Sequence, residues 1–412
     1  MSWDCVTLDK LGSISRGKSK HRPRNDKILF GGKYPFIQTA DVKAAGLYLT
    51  EYTETYSDKG LEQSKLWPAG TLCITIAANI ADTTILGIDA CFPDSVMGFI
   101  PYEGISNVKF VKYAFDILQR DCKKISQGTA QDNLSWKKLS TIKFPAPPIE
   151  VQDKIVSILS GYDNLIENNQ KQIKLLEEAA QRLYKKWFVD LRFPGYEDVK
   201  IVDGVPEGWT RKTVADCLSF HGNGGWGKES PIGKNEHLGK VIRGTDIEDI
   251  KAGRFTDIPL RYHTDNDVKK RMLMKDDMVF ELSNGNINNI GRCLLIDDLV
   301  LKNCGKTTIC ASFCKLLRPI NRLHTLMLYW EIQDMQISGR MLPLKKHGSN
   351  GINNFDFEGF LNHTLLIPND LTMLSPIEAI MKKISIIQGQ FALFCEARDR
   401  LLPKLMNREI EV

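Results

Sequence analysis

Catalytic and metal-binding motifs are scarce in this 412-residue sequence. It contains neither N-P-P-[FY], which an adenine methyltransferase needs to hold a flipped base, nor the G-x-S-x-G motif of serine hydrolases. The stretch HGNGGWGKES resembles a Walker A loop but has Glu229 where the magnesium-binding Ser or Thr belongs. In NCGKTTIC, Val300 stands where the first Gly of such a loop belongs. We therefore expect no catalytic residues, cofactor or metal in this chain.

The sequence also lacks an uninterrupted membrane-spanning run and a recognisable export signal. Its most apolar window, LCITIAANIADTTILGIDACF, is broken by Asn79, Asp82 and Asp89. The N-terminus MSWDCVTLDK has no basic start followed by an apolar core. Ten cysteines without an export signal predict reduced thiols and a cytoplasmic protein. Four of these cysteines lack the paired C-x-x-C spacing of a zinc site and are interpreted as apolar strand residues: Cys293, Cys304, Cys310 and Cys314.

The composition is that of a globular protein with more than one domain. Apolar residues make up 42% and charged residues 25% of the chain, which is longer than one ordinary core requires. The net charge of +5 permits a nucleic-acid partner without demanding one.

Two halves of the chain repeat the same pattern. WDCVTLDKLGSISRGKSK matches WTRKTVADCLSFHGNGGWGKES, and YPFIQTADVKAAGLYLTEY matches GKVIRGTDIEDIKAGRFTDI. Further on, SQGTAQDNLSWKKLSTIKFPAPP matches KHGSNGINNFDFEGFLNHTLLIPND. The repeat predicts an α+β protein with two related β-rich modules, at residues 1–149 and 199–373, and with insertions in the second.

Each module is followed by a long helical pattern, at residues 150–198 and 374–412. Apolar residues spaced alternately by four and three predict a coiled coil. The predicted seam contains Ile155, Leu159, Tyr162, Ile166, Asn169, Ile173, Leu176, Leu183, Ile384, Ile387, Phe391, Phe394, Arg398, Leu401 and Leu405. Two helices that each pack on their own module remain an alternative.

The details of these helices carry further expectations. Ser375 is the expected N-cap of the second helix, with Pro376 in its first turn and Glu378 completing a capping box. Pro403 should kink or end that helix. Matching the two seams predicts that their polar members, Asn169 and Arg398, lie at one level and fix the register.

These patterns together resemble the specificity subunit of type I restriction–modification enzymes. The matching pieces are YPFIQTADV, QGTAQDNLSWKKL, FPAPPIEVQDKI, QRLYKKWFVDLRFPG, VPEGW and RLLPKLMNREIEV, which are spread over the whole chain. The resemblance implies two target recognition domains, each reading half of a split DNA sequence, and an antiparallel coiled coil that sets the distance between the halves. It also implies a non-catalytic subunit that assembles with two methyltransferase subunits and with restriction and translocase subunits. S-adenosylmethionine, Mg²⁺ and ATP would belong to those partners. The second helix lacks a counterpart of Gln152, so its local contacts should differ.

Basic and amide side chains mark the predicted DNA contacts. A basic run near the N-terminus suits phosphates, and Lys228 in the Gly-rich loop has the equivalent place in the second module, where the loop backbone could approach a strand. Gln, Asn, Arg and Lys suit base edges in the major groove. The candidates are Arg16, Lys18, Lys20, Arg22, Arg24, Gln38, Thr39, Asn79, Gln127, Thr129, Gln131, Asn133, Lys228, Arg243, Thr245, Asn284, Asn286, Lys345, Lys346, His347, Ser349 and Asn350.

Aromatic residues at the end of the first helix are the predicted contact with the methyltransferase subunits: Tyr184, Trp187 and Phe188. Two other functions stay open from the sequence. One is a coiled-coil scaffold that binds DNA without sequence preference, and the other is a stand-alone enzyme using a nucleotide or S-adenosylmethionine.

Overall fold

A computed structural model describes residues 3–77, 80–126, 136–348 and 351–412, with side-chain detail for all of these except 120–126 and 136. The chain forms two compact units. Unit 1 comprises residues 1–167 and 394–412, and unit 2 comprises residues 168–393. Among the described residues, the helices are either too short or too polar to cross a bilayer.

Unit 1 contains the first β-rich module. Its strands are β1 (Cys5–Thr7), β2 (Gly12–Arg16), β3 (Phe30–Phe36), β4 (Tyr48–Leu49), β5 (Glu54–Tyr56), β6 (Leu66–Trp67), β7 (Leu72–Thr75), β8 (Thr83–Leu86), β9 (Ala90–Cys91), β10 (Val96–Pro101) and β11 (Lys143–Pro145). Its helices are α1 (Thr39–Ala44), α2 (Asp58–Glu62), α3 (Val108–Ser126), α4 (Trp136–Leu139) and the first half of α5 (Ile149–Tyr184).

Three sheets organise this module. The larger two have the strand orders β2-β10-β7-β8-β4 and β5-β3-β9-β6, and β1 pairs with β11 where the module closes. Strand β7 is buried along its whole length, so its sequence LCIT is continuously apolar up to Thr75. A core that includes Leu72, Phe99 and Phe115 lies between the β2-β10-β7-β8-β4 sheet and α3.

Unit 2 contains the second module. Its strands are β12 (Ile201–Val202), β13 (Val205–Pro206), β14 (Trp209–Thr213), β15 (Leu218–Asn223), β16 (Asn235–Ile242), β17 (Leu260–Thr264), β18 (Met278–Glu281), β19 (Ser283–Asn284), β20 (Cys293–Leu295), β21 (Thr308–Cys310), β22 (Cys314–Pro319), β23 (Lys345–Lys346), β24 (Asn353–Phe355) and β25 (Thr364–Pro368). Its helices are α6 (Ile247–Lys251), α7 (Asp265–Arg271), α8 (Asp298–Cys304), α9 (Arg322–Ser338), α10 (Phe357–Leu361) and α11 (Ser375–Met406), the last of which ends in unit 1.

The second module repeats the strand order of the first, except that, in the part of the chain that the structure describes, its two main sheets lack counterparts of the edge strands β4 and β6. Its sheets run β15-β22-β18-β20 and β17-β16-β21, and β14 pairs with β25 as β1 pairs with β11. The equivalent main-chain bonds agree: Gly17 N–H donates to Val96 O, and Gly224 N–H donates to Cys314 O. The second module adds a small sheet, β19-β24-β23, that has no counterpart among the described residues of the first. The repeated β-rich modules and the long helices agree with the fold class that the sequence predicts.

The long helices pair in antiparallel directions within each unit. In unit 1, Ile155 and Leu159 of α5 share a buried cluster with Leu402 and Leu405 of α11. In unit 2, Ile173 of α5 packs against residues 384 and 387 of α11. The remaining predicted seam residues are buried or half-buried: Tyr162, Ile166, Asn169, Leu176, Leu183, Phe391, Phe394, Arg398 and Leu401.

The polar seam residues have different partners, which corrects the prediction that they share one level. Asn169 Nδ2 donates to the carbonyl of Ile387 at 3.5 Å, whereas Arg398 binds Asp163 Oδ1 at 3.0 Å. Antiparallel pairing explains the correction, because equivalent positions of two repeats then face different levels of the partner helix.

The ends of α11 also differ from the prediction. Ser375 is itself helical, and a 3₁₀ turn precedes it, capped by Asp370, whose carboxylate accepts from Thr372 N–H at 2.8 Å. Glu378 binds Arg322 at 2.9 Å instead of closing a capping box. Helix α11 continues past Pro403 to Met406. The helix tolerates this proline because it lies within the last turn, where few hydrogen bonds are lost.

Candidate nucleic-acid interface

The basic run of the first module is exposed but partly engaged within the protein. Arg16 ends β2 and, like Lys18 and Lys20, is exposed. Arg22 donates to the carbonyl of Ser19 at 2.7 Å. Arg24 pairs with Asp94 at 2.9 Å. Arg16, Lys18 and Lys20 are therefore better placed for phosphate contact than the two arginines that follow.

Gln38 and Thr39 lie at the start of α1, beside an open cavity. Asp41 holds this turn by accepting from the Gln38 backbone N–H at 2.8 Å. The Gln38 side chain donates to Glu54 Oε2 at 2.7 Å. The cavity has a volume of about 670 Å³, and stacked Phe36 and Tyr56 are among its walls. Arg24, Gln38 and Thr39, which the sequence marks as DNA contacts, thus line one concavity.

The same turn recurs in the second module with a different side chain. Asp246 accepts from the Arg243 backbone N–H at 2.8 Å and binds the Arg243 guanidinium at 2.6 Å. Hydrogen bonding with Asp246 raises the pKa of Arg243. Thr245, the other candidate of this turn, is exposed. In the sequence, an Asp lies three residues after Gln38 and three residues after Arg243. The motifs did not predict that each Asp would accept from the backbone N–H of that residue.

The Gly-rich loop of the second module has a structural role that differs from the predicted one. Gly224 N–H donates to Cys314 O at 3.0 Å, Gly225 N–H to Cys310 O at 2.9 Å, and Lys228 N–H to Tyr262 O at 2.9 Å. These amides are therefore engaged within the protein and do not face a DNA strand. The Lys228 side chain is exposed, and its contact with phosphate stays a prediction.

The remaining candidates of the second module gather at the small β19-β24-β23 sheet. Asn284 lies on β19, and Lys345 and Lys346 form β23. Asn353 of β24 joins them, because its Nδ2 donates to the carbonyl of Gly285 at 2.9 Å and its Oδ1 lies 3.1 Å from His347 Nδ1. The folded chain thus brings together two segments that are about 60 residues apart in sequence.

Not all of these side chains face solvent equally. Asn286 is exposed, and its side-chain oxygen caps a 3₁₀ turn by accepting from the N–H of Asn288. Lys346 is exposed and pairs with Asp356 at 2.8 Å. Burial lowers the pKa of Lys345, which reaches the carbonyl of Asn288 at 3.5 Å.

Sequence and structure comparisons point to one family. Residues 2–178 match the family model described as the type I restriction modification DNA specificity domain. The MjaIX specificity subunit of Methanocaldococcus jannaschii, a type I restriction enzyme subunit, is 23% identical over 100% of this chain and 94% of its own length. The MjaVIII specificity subunit of that organism is 34% identical over 61% of this chain and 51% of its own length. Over its whole length the chain is similar to a type I specificity subunit.

A solved structure shows the same fold. The crystal structure of a type I restriction–modification S subunit from M. genitalium covers 98% of this chain and 96% of its own, with a TM-score of 0.55 and 14% sequence identity. The likeness of fold therefore extends over both modules and both long helices of this chain.

Two of the three aromatic residues predicted to bind a methyltransferase subunit are internal to this chain. Tyr184 and Phe188 are buried in the core of unit 2, and the Tyr184 hydroxyl donates to Glu331 at 2.9 Å. Trp187 is half-buried beside them. Large aromatic side chains at helical spacing are suited to filling a core as well as to binding a partner, and here they fill the core.

The four clustered cysteines behave as apolar residues. Burial raises the pKa of Cys293 and Cys310 to about 12, so both thiols are protonated at neutral pH. Cys304 and Cys314 are buried as well. Within the described ranges, no group of three or more His, Cys, Asp or Glu side chains has the arrangement of a metal site.

Seven predicted DNA contacts lie outside the residues whose placement is described: Asn79, Gln127, Thr129, Gln131, Asn133, Ser349 and Asn350.

Proposed function

We propose that this chain is a type I specificity subunit and that each of its modules reads one half of an interrupted, asymmetric DNA target. The observation that carries this proposal is the shared turn that bears different side chains, with Gln38 in the first module and Arg243 in the second. In the major groove, Gln suits adenine and Arg suits guanine. Two copies of one frame with different readers recognise two different half-sites.

The basic side chains support the proposal from the phosphate side. Arg16, Lys18 and Lys20 are exposed in the first module, as is Lys228 in the second. Neutralised phosphates release counterions, and this supplies affinity that does not depend on sequence. The phosphate contacts fix the orientation of each module, while the turns and the small sheet supply the discrimination.

The paired helices serve as the spacer between the two half-sites. In this proposal the helix pair sets the number of unread base pairs, because a helix rises about 1.5 Å per residue and resists compression. A four-residue insertion in the exposed part of α5, matched by one in α11, should lengthen the unread spacer and leave both half-sites unchanged. Unchanged spacing in the selected sequences would refute the spacer role.

The chain is the non-catalytic component, which works with two methyltransferase subunits and with restriction and translocase subunits. S-adenosylmethionine, Mg²⁺ and ATP belong to those partners. In unit 2, the outer faces of the long helices carry Leu175, Ile386 and Leu393, which are 64%, 59% and 65% exposed. We assign the methyltransferase contact to these exposed apolar side chains rather than to Tyr184 and Phe188, which are buried.

Selection of DNA duplexes from a randomised library tests whether each module reads one half-site. The full chain, with and without its methyltransferase subunits, is used to capture duplexes at moderate salt, and the bound sequences are read. Replacing residues 206–372 with the module of another specificity subunit should change one half of the selected motif and leave the other intact. A change in both halves, or selection of no motif at all, would contradict the proposal. Selection of no motif would instead favour a scaffold with non-specific DNA binding.

A further inference from the structure

Glu281 is a buried carboxylate that lies beside two candidate reading elements of the second module, Asn284 and the turn that carries Arg243. It is the last residue of β18, and its side chain is 2% exposed. Its charge is balanced by Arg292, whose Nε donates to Glu281 Oε2 at 2.8 Å. A carboxylate this deeply buried is costly unless it is paired and fully hydrogen-bonded, so its contacts define what it does.

The other oxygen of Glu281 fixes the amide of Asn284. Asn284 Nδ2 donates to Glu281 Oε1 at 2.7 Å, and Asn284 Oδ1 accepts from the N–H of Asn286 at 2.7 Å. Because an ionised carboxylate accepts only, this contact determines which end of the amide is the nitrogen. One N–H and one oxygen lone pair of the Asn284 side chain remain beyond these two bonds, which is the donor and acceptor pair that reads adenine.

The same ion pair holds the turn that carries Arg243. Arg292 Nη2 donates to the carbonyl of Gly244 at 2.8 Å. The Glu281 carboxylate also packs so closely against Gly244 that a Cβ there would overlap Oε1. Gly244 therefore replaces the Thr39 of the first module for a steric reason. Glu281 and Arg292 together connect two candidate reading elements, the Arg243 turn and the Asn284 strand.

The first module builds the equivalent position without this ion pair. Thr75 N–H donates to Asp82 O there, as Glu281 N–H donates to Arg292 O in the second module. The buried carboxylate and its arginine are thus replaced by Thr75 and Asp82, and Asp82 instead accepts from Gln119 Nε2 at 2.7 Å. The frame does not require the ion pair, which indicates that the pair serves a feature particular to the second module.

We propose that Glu281 is a positioning residue that sets the base preference of the second module by orienting Asn284 and, through Arg292, the Arg243 turn. This inference rests on the proposed function, in which the second module reads one half-site. Glu281 acts through the readers and does not itself contact DNA.

The test compares Glu281→Gln with Asp277→Asn in the duplex selection described above. Asp277 is a matched control because it precedes the opposite end of β18, is 1% exposed and binds Arg318 at 2.8 Å. E281Q should lower the base preference roughly tenfold at one or two positions of the second half-site, the size expected for one lost bidentate contact. The first half-site should be unchanged. D277N should lower the thermal stability of the chain and leave the base preference of both half-sites unchanged.

Two further variants separate the possible failures. Arg292→Lys keeps the positive charge but gives up the bond to Gly244, and it should alter the same half-site; it carries the test if E281Q does not fold. If Asn284→Ala changes the second half-site while E281Q and R292K behave like D277N, the positioning role is overturned and the proposed function stands. If neither Asn284→Ala nor replacement of residues 206–372 changes either half-site, the proposed function itself fails.

Discussion

The two modules share a frame but form their reading surfaces differently. The bonds that define the frame are between main-chain atoms, such as Gly17 to Val96 and Gly224 to Cys314. On that frame, the first module opens an aromatic-walled cavity beside Gln38. The second module adds the β19-β24-β23 sheet and braces it with Glu281. Because main-chain bonds hold the frame, the two modules can carry different side chains on the same fold, which suits the proposal that the two halves recognise different sequences.

The largest expected contrast is between the two portions of the helix pair. In unit 1, the buried Asp163 accepts from the Tyr113 hydroxyl and from Arg398, whereas in unit 2 Asn169 makes one long bond of 3.5 Å. Asp163→Ala should lower the free energy of unfolding by about 2–3 kcal/mol, because it leaves the Tyr113 hydroxyl without its acceptor and removes one of the two carboxylates that Arg398 binds. Asn169→Ala should cost less than about 1 kcal/mol. Urea titration of both variants measures the difference.

A control variant separates the contribution of the Asp163–Arg398 ion pair from that of the Tyr113 hydroxyl. Tyr113→Phe removes the hydroxyl that donates to Asp163 and keeps the ion pair, so it should cost about 1 kcal/mol. Equal losses for D163A and N169A would show that the ion pair does not stabilise the helix pair.

The junction between each module and its helix gives the next contrast. Gln152 is buried, accepts from Asn107 N–H at 2.9 Å, and donates to the carbonyls of Ile105 and Pro147. Gln152→Ala leaves these groups unsatisfied and should cost about 2–3 kcal/mol. At the second junction Glu378 is 42% exposed, so Glu378→Gln should cost less than about 1 kcal/mol. If melting curves showed E378Q to be less stable than Q152A, they would contradict the expected difference between the two junctions.

These junctions also show how much of the fold could be predicted from the sequence. The heptad spacing predicted both long helices and their pairing, and the repeat predicted two related modules, because periodicity and self-similarity are local properties. The absence of Gln152 from the second repeat predicted different contacts there, and the Arg322–Glu378 pair bears this out. The prediction that Asn169 and Arg398 lie at one level was wrong, because their levels depend on the relative direction of the two helices.

The candidate site was less predictable than the fold. The sequence marked Gln38, Arg243 and Asn284 as candidates by residue type, but it did not reveal that Glu281 contacts the last two elements. The contact with Gly244 joins residues far apart in the chain, and the bond to the nearby Asn284 depends on how the chain turns between β18 and β19. It also assigned Tyr184 and Phe188 to a partner, since an aromatic pattern does not distinguish an internal core from an external surface.

Paired glycines test whether the frames are equivalent. A Cβ at Gly17 would overlap Phe92 O, and a Cβ at Gly224 would overlap Ala311 O. Gly17→Ala and Gly224→Ala should each cost about 1–3 kcal/mol, by similar amounts. Gly161→Ala is the control, because Gly161 lies in α5 with no neighbouring atom near the added methyl group, and it should stabilise the chain by up to about 1 kcal/mol. A large cost for only one of the first two variants would show that the loops are not equivalent.

The smallest expected effect concerns phosphate contact. The slope of log K against log salt should fall by about 1 for Lys228→Ala, and by about 2–3 for the combined Arg16, Lys18 and Lys20 to Ala variant. Base preference should stay the same in both, because phosphate contacts carry no direct sequence information. Lys382→Ala, an exposed change on α11, is the control and should leave the slope unaltered. Equal slopes for the two test variants would mean that the modules share the phosphates evenly, and the asymmetry between them would then lie in base reading alone.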